Sequence, residues 1–317
     1  GPYMVTKYTP ESGAELKAYD DYWDGKPKVA NLKIKYFSDP TAISAALKSK
    51  EVDAVYGLPY ANLSTYASDK NYKISEVEGS RYLAYYYNFE NPYVADDKFR
   101  QALDTLVDKK TYSESLFKGS AVPAVGPFPK GFAFALQKSV HEFNVEKAKK
   151  LLDEAGLKDT DGDGLREDKN GKKLTFNFAI RNTGQDFDQT LADTFVKSWK
   201  EVGLDVKLVD GKLMAPKDWS QRVQADDPAI DIFQGAWGLG SDPNPGGLVS
   251  KTTPLNYQRY TTEELEKSLT AMGSSDMFDD VKLKEAYQKF DKQFREEAAW
   301  LPFSWQQSMT WVNKRVK

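Results

Sequence analysis

Between Leu174 and Val209 the apolar pattern of this chain changes period twice, and few folds accommodate that change. LTFNFAI alternates as a strand does, and Phe187, Leu191, Phe195 and Trp199 then recur every four residues along one helix face. Gly203 stops the helix and LDVKLV is extended again. A strand, a helix and a strand so closely joined predict a right-handed crossover between parallel neighbours. A further strand, IDIFQGAW, follows a polar connection. Leu32 to Gly57 repeats the pattern: LKIKYF, then TAISAALKSK entered at Asp39 and Pro40 with Ile43, Ala46 and Leu47 at helical spacing, then VDAVYG. Two such units predict an α/β fold with mixed, mostly parallel sheets flanked by helices and ligands beyond the carboxyl ends of the strands.

One of those strand ends has unusual chemistry. In IDIFQGAWGLGSDPNPGG, Ile230, Ile232 and Phe233 argue a buried strand, while Gly235, Gly238 and Gly240 leave backbone N–H and C=O groups uncovered beside Trp237. Bare main chain next to an indole suits an extended, peptide-like ligand.

The remaining segments read as helices and one long strand. ADDKFRQALDTLVDKK places Phe99, Ala102, Leu103, Leu106 and Val107 on one face, and SAVPAVGPFPKGF breaks it into loop. NVEKAKKLLDEAGL has Asn144 as N-cap, Ala148, Leu151, Leu152 and Ala155 as its stripe, and Gly156 just past its end. TTEELEKSLTAM and VKLKEAYQKFDKQFREEAA are amphipathic, and LPFSWQQSMTWV returns to strand. SRYLAYYYNFENP has the alternation of a strand that passes between domains. A hinge is therefore expected near Arg81 to Asn88, with a return crossing near Leu301 to Ser304. The corresponding division is 1–80 as part of a first lobe, 81–301 as a second lobe and 302–317 as the return.

Composition excludes several function classes. The 317 residues carry 44 basic and 47 acidic side chains, a net charge of −3, so no basic footprint for nucleic acid exists. With no cysteine, disulfides, thiolate metal sites and cysteine nucleophiles are excluded; the absence fits a Gram-positive exported protein and a cytosolic one alike. No apolar run approaches the roughly 20 residues that span a bilayer. GPYMVTKY at the start lacks the basic and apolar regions of a targeting signal, and the expectation is that any such signal has been removed.

Four blocks in order, YWDGKPKVANLKIKYFSDPTAISAALKSKEVDAV, FRQALDTLVDKKTY, NVEKAKKLLDEAGLKDTDGDG and the DIFQGAWG…DPNP loop, resemble family 5 extracellular solute-binding proteins along essentially the whole chain. The resemblance implies a two-lobed, type II periplasmic-binding-protein-like fold. It implies a non-enzymatic, monomeric receptor that captures oligopeptides for an ABC importer, closing at its hinge and presenting the closed form to permease subunits. It further implies an extracellular, cell-surface lipoprotein of a Gram-positive cell, held to the membrane only by a lipid anchor absent from this chain. GPY resembles the tail of the family's GTGPY motif, and NKRVK precedes a further stretch in other members, so the resemblance makes this an incomplete chain.

Members hold the peptide as an extended strand, a role that falls here on Gln234, Gly235, Ala236, Trp237 and Gly238. Many have an aspartate three residues beyond the tryptophan that pairs with the peptide ammonium; here that position is Gly240 and the nearest acid is Asp242. Asp242 reads equally as that partner and as the cap of the DPNP turn. Trp237 reads as a pocket wall or as core packing. Tyr85, Tyr86 and Tyr87 alternate sides, so one face at most meets ligand, and Tyr85 and Tyr87 are the candidates.

DTDGDGLRED sets Asp159, Asp161 and Asp163 at positions 1, 3 and 5 of a calcium loop, with Gly164 at its sharp turn. Asn170 replaces the bidentate glutamate at position 12. Asp159, Asp161, Asp163, the Leu165 carbonyl and Glu167 or Asp168 form either one structural Ca²⁺ site or a solvated turn, and no other cofactor is required. Enzyme signals are weak: His141 is the only histidine, in VHEF, without an HExxH partner or a GxSxG motif, and GAWGLG has the wrong order for dinucleotide binding. Carboxylates could supply a glycosidase pair, but nothing fixes two at the needed separation. Besides the peptide receptor, the alternatives are a receptor of the same fold for an oligosaccharide or another small solute such as a nickel chelate, and an acid/base glycoside hydrolase.

Overall fold

A computed structural model describes residues 1–37, 40–56, 69–129, 131–136, 138–185, 187–238 and 244–316. Two compact units emerge: Gly1–Glu76 with Met309–Lys317, and the continuous segment Val77–Ser308. The sequence placed the crossings near Arg81 and Leu301; these unit boundaries fall at Glu76/Val77 and Ser308/Met309.

In the smaller unit β1 (Tyr3–Thr9), β2 (Gly13–Ala18) and β3 (Asn31–Lys35) make an antiparallel meander. Gly13 is obligatory there, because a Cβ would lie 1.9 Å from the Ile34 carbonyl oxygen. Helix α1 (Pro40–Lys48) and the short β4 (Ala54–Tyr56) follow, and β4 pairs antiparallel with Thr310, Trp311 and Val312 of β10 (Leu301–Asn313). The expected crossover unit from Leu32 to Gly57 does not form, since β3 and β4 belong to different sheets. Strands β1 to β3 each pair with their nearest neighbour in sequence, and that local pairing takes β3 out of reach of a parallel partner. Asp39 and Gly57, the ends of that motif, lie outside the described residues.

The larger unit is entered by β5 (Tyr72–Tyr87) and contains a sheet ordered β10-β5-β9-β7-β8, with β6 (Ala121–Pro123) on β10. Here the sequence pattern holds: β7 (Thr175–Ala179), helix α5 and β8 (Asp205–Leu208) form a parallel pair, and β9 (Ile232–Gly238) joins the other side of β7 in parallel. Helix α5 spans Asp188–Lys200 and buries Leu191, Phe195 and Trp199. Among the described residues β7–β8 and β7–β9 are parallel, while β1–β2, β2–β3, β4–β10, β6–β10 and β5–β9 are antiparallel, so the sheets are mixed as expected but not mostly parallel. β5 lies antiparallel on β9 and β6 antiparallel on β10, because these strands are not joined by the helical crossovers that impose a parallel course.

Helices cover the sheet where their apolar stripes dictate. The stretch expected as one helix from Ala95 to Lys110 is two, α2 (Asp97–Thr105) and α3 (Lys109–Ser115), because Asp108 turns out of helix and caps Thr111. α4 (Val145–Glu154) has the anticipated ends: Asn144 accepts the Lys147 N–H at 2.8 Å, and Gly156 has φ +81°. α6 (Pro216–Gln224), the single turn α7 (Gly246–Val249), α8 (Glu263–Met272) and α9 (Asp280–Glu296) complete the set. Among the described residues no helix is long and apolar enough to cross a membrane.

The two faces of β5 separate the core into two aromatic layers, as strand alternation requires. On one, Tyr85 is enclosed by Phe178, Phe195 and Phe303 with centroids 4.6–5.4 Å away. On the other, Tyr82 stacks on Trp305 at 4.5 Å and its hydroxyl accepts the Trp300 Nε1–H at 2.8 Å. A buried ion pair locks the loop after β6 to α9: the Asp291 carboxylate, 0% exposed, accepts from Arg295 Nε at 2.6 Å, from Arg295 Nη2 at 2.9 Å and from the Leu136 N–H at 2.9 Å. Arg295, 3% exposed, donates onward to the carbonyls of Leu136 and Lys138.

A candidate ligand-binding strand edge

Strand β9 owes its position to Asp231, which precedes it. The buried Asp231 carboxylate accepts from the Asn177 N–H at 2.7 Å and from Asn91 Nδ2 at 2.7 Å, while its carbonyl accepts the Asn88 N–H at 2.8 Å. These bonds tie the start of β9 to β7 on one side and to the end of β5 on the other. From there β9 is in register with β5 throughout, Ile232 opposite Tyr87 and Gly238 opposite Arg81.

The opposite edge is different. Its ladder with β7 ends at Phe233 opposite Ala179, and beyond that point the chain bonds to Met214. Among the described residues, Gln234–Gly238 therefore have no strand partner on that edge; only the Gln234 side chain, accepting the Arg181 N–H at 3.1 Å, bridges the gap. Because an antiparallel strand sends alternate N–H and C=O groups to its two sides, about half of the main-chain groups here point away from β5. Gln234–Gly238 are thus paired with β5 on one edge and lack a strand partner on the other among the described residues; Gln234 and Gly235 are nonetheless buried, and exposure rises only toward Gly238.

The register assigns the side chains to faces. Phe233, Gly235 and Trp237 stand opposite Tyr86, Ala84 and Tyr82, on one face, while Gln234 and Ala236 share the other with Tyr85 and Leu83. Gly235 is needed for contact rather than for its dihedral freedom: a Cβ there would lie 2.6 Å from Tyr86 Cε2 and 3.3 Å from Trp237 Nε1. Tyr86 is itself held by stacking on Phe233 at 5.5 Å and by Trp300 at 5.2 Å, so it cannot retreat. Gly235→Ala is accordingly expected to destabilise the protein by about 1–3 kcal/mol through overpacking. Urea unfolding followed by tryptophan fluorescence measures this, and an unchanged midpoint would exclude the contact.

Around Trp237 the structure gathers residues far apart in sequence. The half-buried Trp237 packs on Tyr257 at 5.6 Å; Tyr257 lies 6.5 Å from Trp219, which lies 6.2 Å from Phe233. The Arg181 guanidinium sits 5.0 Å from the centre of the Trp219 ring. Burial, and secondarily the charge of Arg81, lowers its pKa. Among the described residues the buried nitrogens Arg181 Nε, Trp219 Nε1 and Trp237 Nε1 have no hydrogen-bond partner. Trp237 Nε1 faces the Tyr86 hydroxyl, whose pKa burial pushes far up, without reaching hydrogen-bond geometry. An aromatic wall, a cation and an open strand edge are together suited to an extended chain that carries a carboxylate.

Not every expected residue belongs to this assembly. Tyr85 and Tyr87 are fully buried and lie on the face away from Trp237, Tyr85 in the aromatic layer and Tyr87 against Phe89 at 6.4 Å. Strand alternation that turns Trp237 to one side turns them to the other, so both are core and not ligand contacts. Asp242, like Gly240, lies outside the described residues. Gln234, Gly235, Ala236, Trp237 and Gly238 run consecutively along β9. Arg181, Trp219 and Tyr257 were missed; a charged residue just past a parallel strand was a usable signal for Arg181, whereas nothing local marks Tyr257.

In the acidic loop, Asp159, Asp161, Asp163 and Glu167 each bring a carboxylate oxygen within 4.8 Å of the others. The Leu165 N–H donates to Asp163 at 2.8 Å. Asp168 lies apart from that group, accepting the Tyr93 hydroxyl at 2.8 Å. His141, half-buried, sits at the end of α9 with Nε2 donating to the Arg295 carbonyl at 2.9 Å.

Comparison with known proteins agrees with this architecture. The oligopeptide-binding protein OppA of Lactococcus lactis subsp. cremoris strain SK11 is 27% identical over 339 residues, which cover 99% of this chain and 56% of that protein. The structure of lactococcal OppA closed on an endogenous peptide superposes with a TM-score of 0.87 at 26% identity, covering 99% of this chain and 61% of that one. NikZ from Campylobacter jejuni in complex with Ni(L-His) superposes with a TM-score of 0.82 at 25% identity, covering 99% and 62%. The chain thus spans between half and two thirds of the length of these relatives. The profile of the bacterial extracellular solute-binding proteins, family 5 Middle, matches residues 1–258, and the chain belongs to that family.

Proposed function

We propose that this chain captures oligopeptides for an ABC importer by pairing their main chain with the open edge of β9. The observation that carries the reading is the edge itself: a strand held by β5 on one side, without a strand partner from Gln234 to Gly238 on the other among the described residues, with Trp237 and Arg181 close by. Main-chain pairing supplies affinity without reading side chains, which gives the breadth a nutrient receptor needs. Arg181 would meet a peptide carboxylate, and the Trp237–Tyr257 pair a side chain.

The chain crosses between its units in β5 and β10, and these crossings are where we place the hinge that lets a permease recognise the loaded form. The role is capture without chemistry, by a monomer outside the cytoplasmic membrane, held on a Gram-positive cell surface by a lipid anchor. The Ni(L-His) of NikZ raises a chelate as a second ligand class, but the one histidine here is engaged with Arg295 and does not join the Trp237 cluster. Native mass spectrometry of receptor purified from its own cells tests the proposal. A ladder of bound peptides supports it, while hexose-spaced adducts or a metal chelate in their place would replace it.

A further inference from the structure

The loop between α4 and β7 gathers carboxylates at one point, although its five acidic and five basic residues balance in number. Four carboxylates, from Asp159, Asp161, Asp163 and Glu167, converge, and the ammonium of Lys173 reaches only Asp161 Oδ2 at 3.0 Å and Asp163. The aspartates are exposed and could be served by water. Glu167 could not: it is 1% exposed, and its backbone is fixed by paired hydrogen bonds to Lys158 at 3.0 and 2.9 Å. Its Oε2 accepts from the Thr160 N–H at 2.8 Å and hydroxyl at 2.7 Å, but the buried Oε1 has no hydrogen-bond partner among the described residues. A buried carboxylate oxygen left bare beside three further carboxylates is strongly unfavourable unless a cation joins them.

We infer that this loop binds Ca²⁺ through Asp159, Asp161, Asp163 and Glu167. Ligands that are all oxygen select a hard cation, and oxygens on opposite sides of a calcium ion lie up to about 5 Å apart, the scale on which these four gather. The Leu165 carbonyl and water would fill the remaining positions, and Lys173 would swing out to solvent, its charge displaced by the ion. The site is structural. Arg166, within the loop, donates to Asp153 at 2.6 Å and to the carbonyls of Leu157 and Val202, each at 2.6 Å, so that ordering the loop fastens α4 to the turn between α5 and β8.

Thermal unfolding of the chain in chelator and in millimolar calcium, without peptide, separates this inference from the reading of the β9 edge. Calcium should raise the melting temperature by roughly 5 °C or more, because an ion that binds only the folded state stabilises it. Asp161→Asn, an exposed change that leaves the fold intact, should remove the rise. Lys173→Met should keep it and reach it at lower calcium, the competing ammonium being gone. No rise in the parent chain, an equal rise with magnesium, or a Lys173→Met protein indifferent to calcium would each overturn the site.

Discussion

Asp291→Ala is expected to destabilise the larger unit by about 3–5 kcal/mol, the usual cost of stripping one partner from a buried ion pair. The carboxylate is 0% exposed and engages two nitrogens of Arg295 together with the Leu136 N–H. Without it a guanidinium that is 3% exposed keeps only carbonyl partners at Leu136 and Lys138. Water cannot replace the lost charge at that depth. Because the damage comes from the stranded charge, Asp291→Asn combined with Arg295→Met should lose less than Asp291→Ala alone. Urea denaturation of the three proteins decides it through the transition midpoints at constant slope. A loss below about 1 kcal/mol for Asp291→Ala would mean that the pair is solvated after all.

On the proposed function, Trp237→Ala should weaken peptide binding by about 1–3 kcal/mol, roughly fivefold to 150-fold in Kd, in a protein whose melting temperature changes little. The indole lies on the open edge of β9 and is half-buried, with Tyr257 at 5.6 Å as its main support. It packs against the margin of the hydrophobic core rather than within it, so removing it should cost affinity before stability. Calorimetry with the parent protein and the variant checks this, and equal affinities would remove Trp237 from the site. Tyr85→Phe gives the contrast: on the far face, it should leave affinity unchanged.

How much of this was readable in advance followed from how local each signal is. The unit β7-α5-β8 was legible because strand alternation, the four-residue spacing from Phe187 to Trp199 and the stop at Gly203 all lie in one continuous stretch. The equivalent reading of Leu32 to Gly57 failed although its elements exist, because which sheet a strand joins depends on partners that local pattern does not name. Likewise the direction of β5 along β9 is set by tertiary packing, and a sequence with two helical crossovers overstated the parallel share. At the site, Gly235 and Trp237 announced themselves as glycine and indole at a strand end. Arg181, Trp219 and Tyr257 reach the same place from three separate elements, and only the fold brings them together. The tyrosine run carried its alternation openly, but not which parity faced Trp237; the register of β9 against β5 decided that.

The larger unit is one uninterrupted stretch, while the smaller is built from both ends of the chain, with β4 closed by Thr310 to Val312. On a ribosome this fixes a timetable. Ala54 to Tyr56 emerge early and wait for a partner made on the order of tens of seconds later at ordinary elongation rates, by which time Val77 to Ser308 is fully synthesised and able to collapse. The nascent protein therefore carries an unmatched edge on β4 until Thr310 to Val312 are made, and the smaller unit closes only after the larger one has been synthesised.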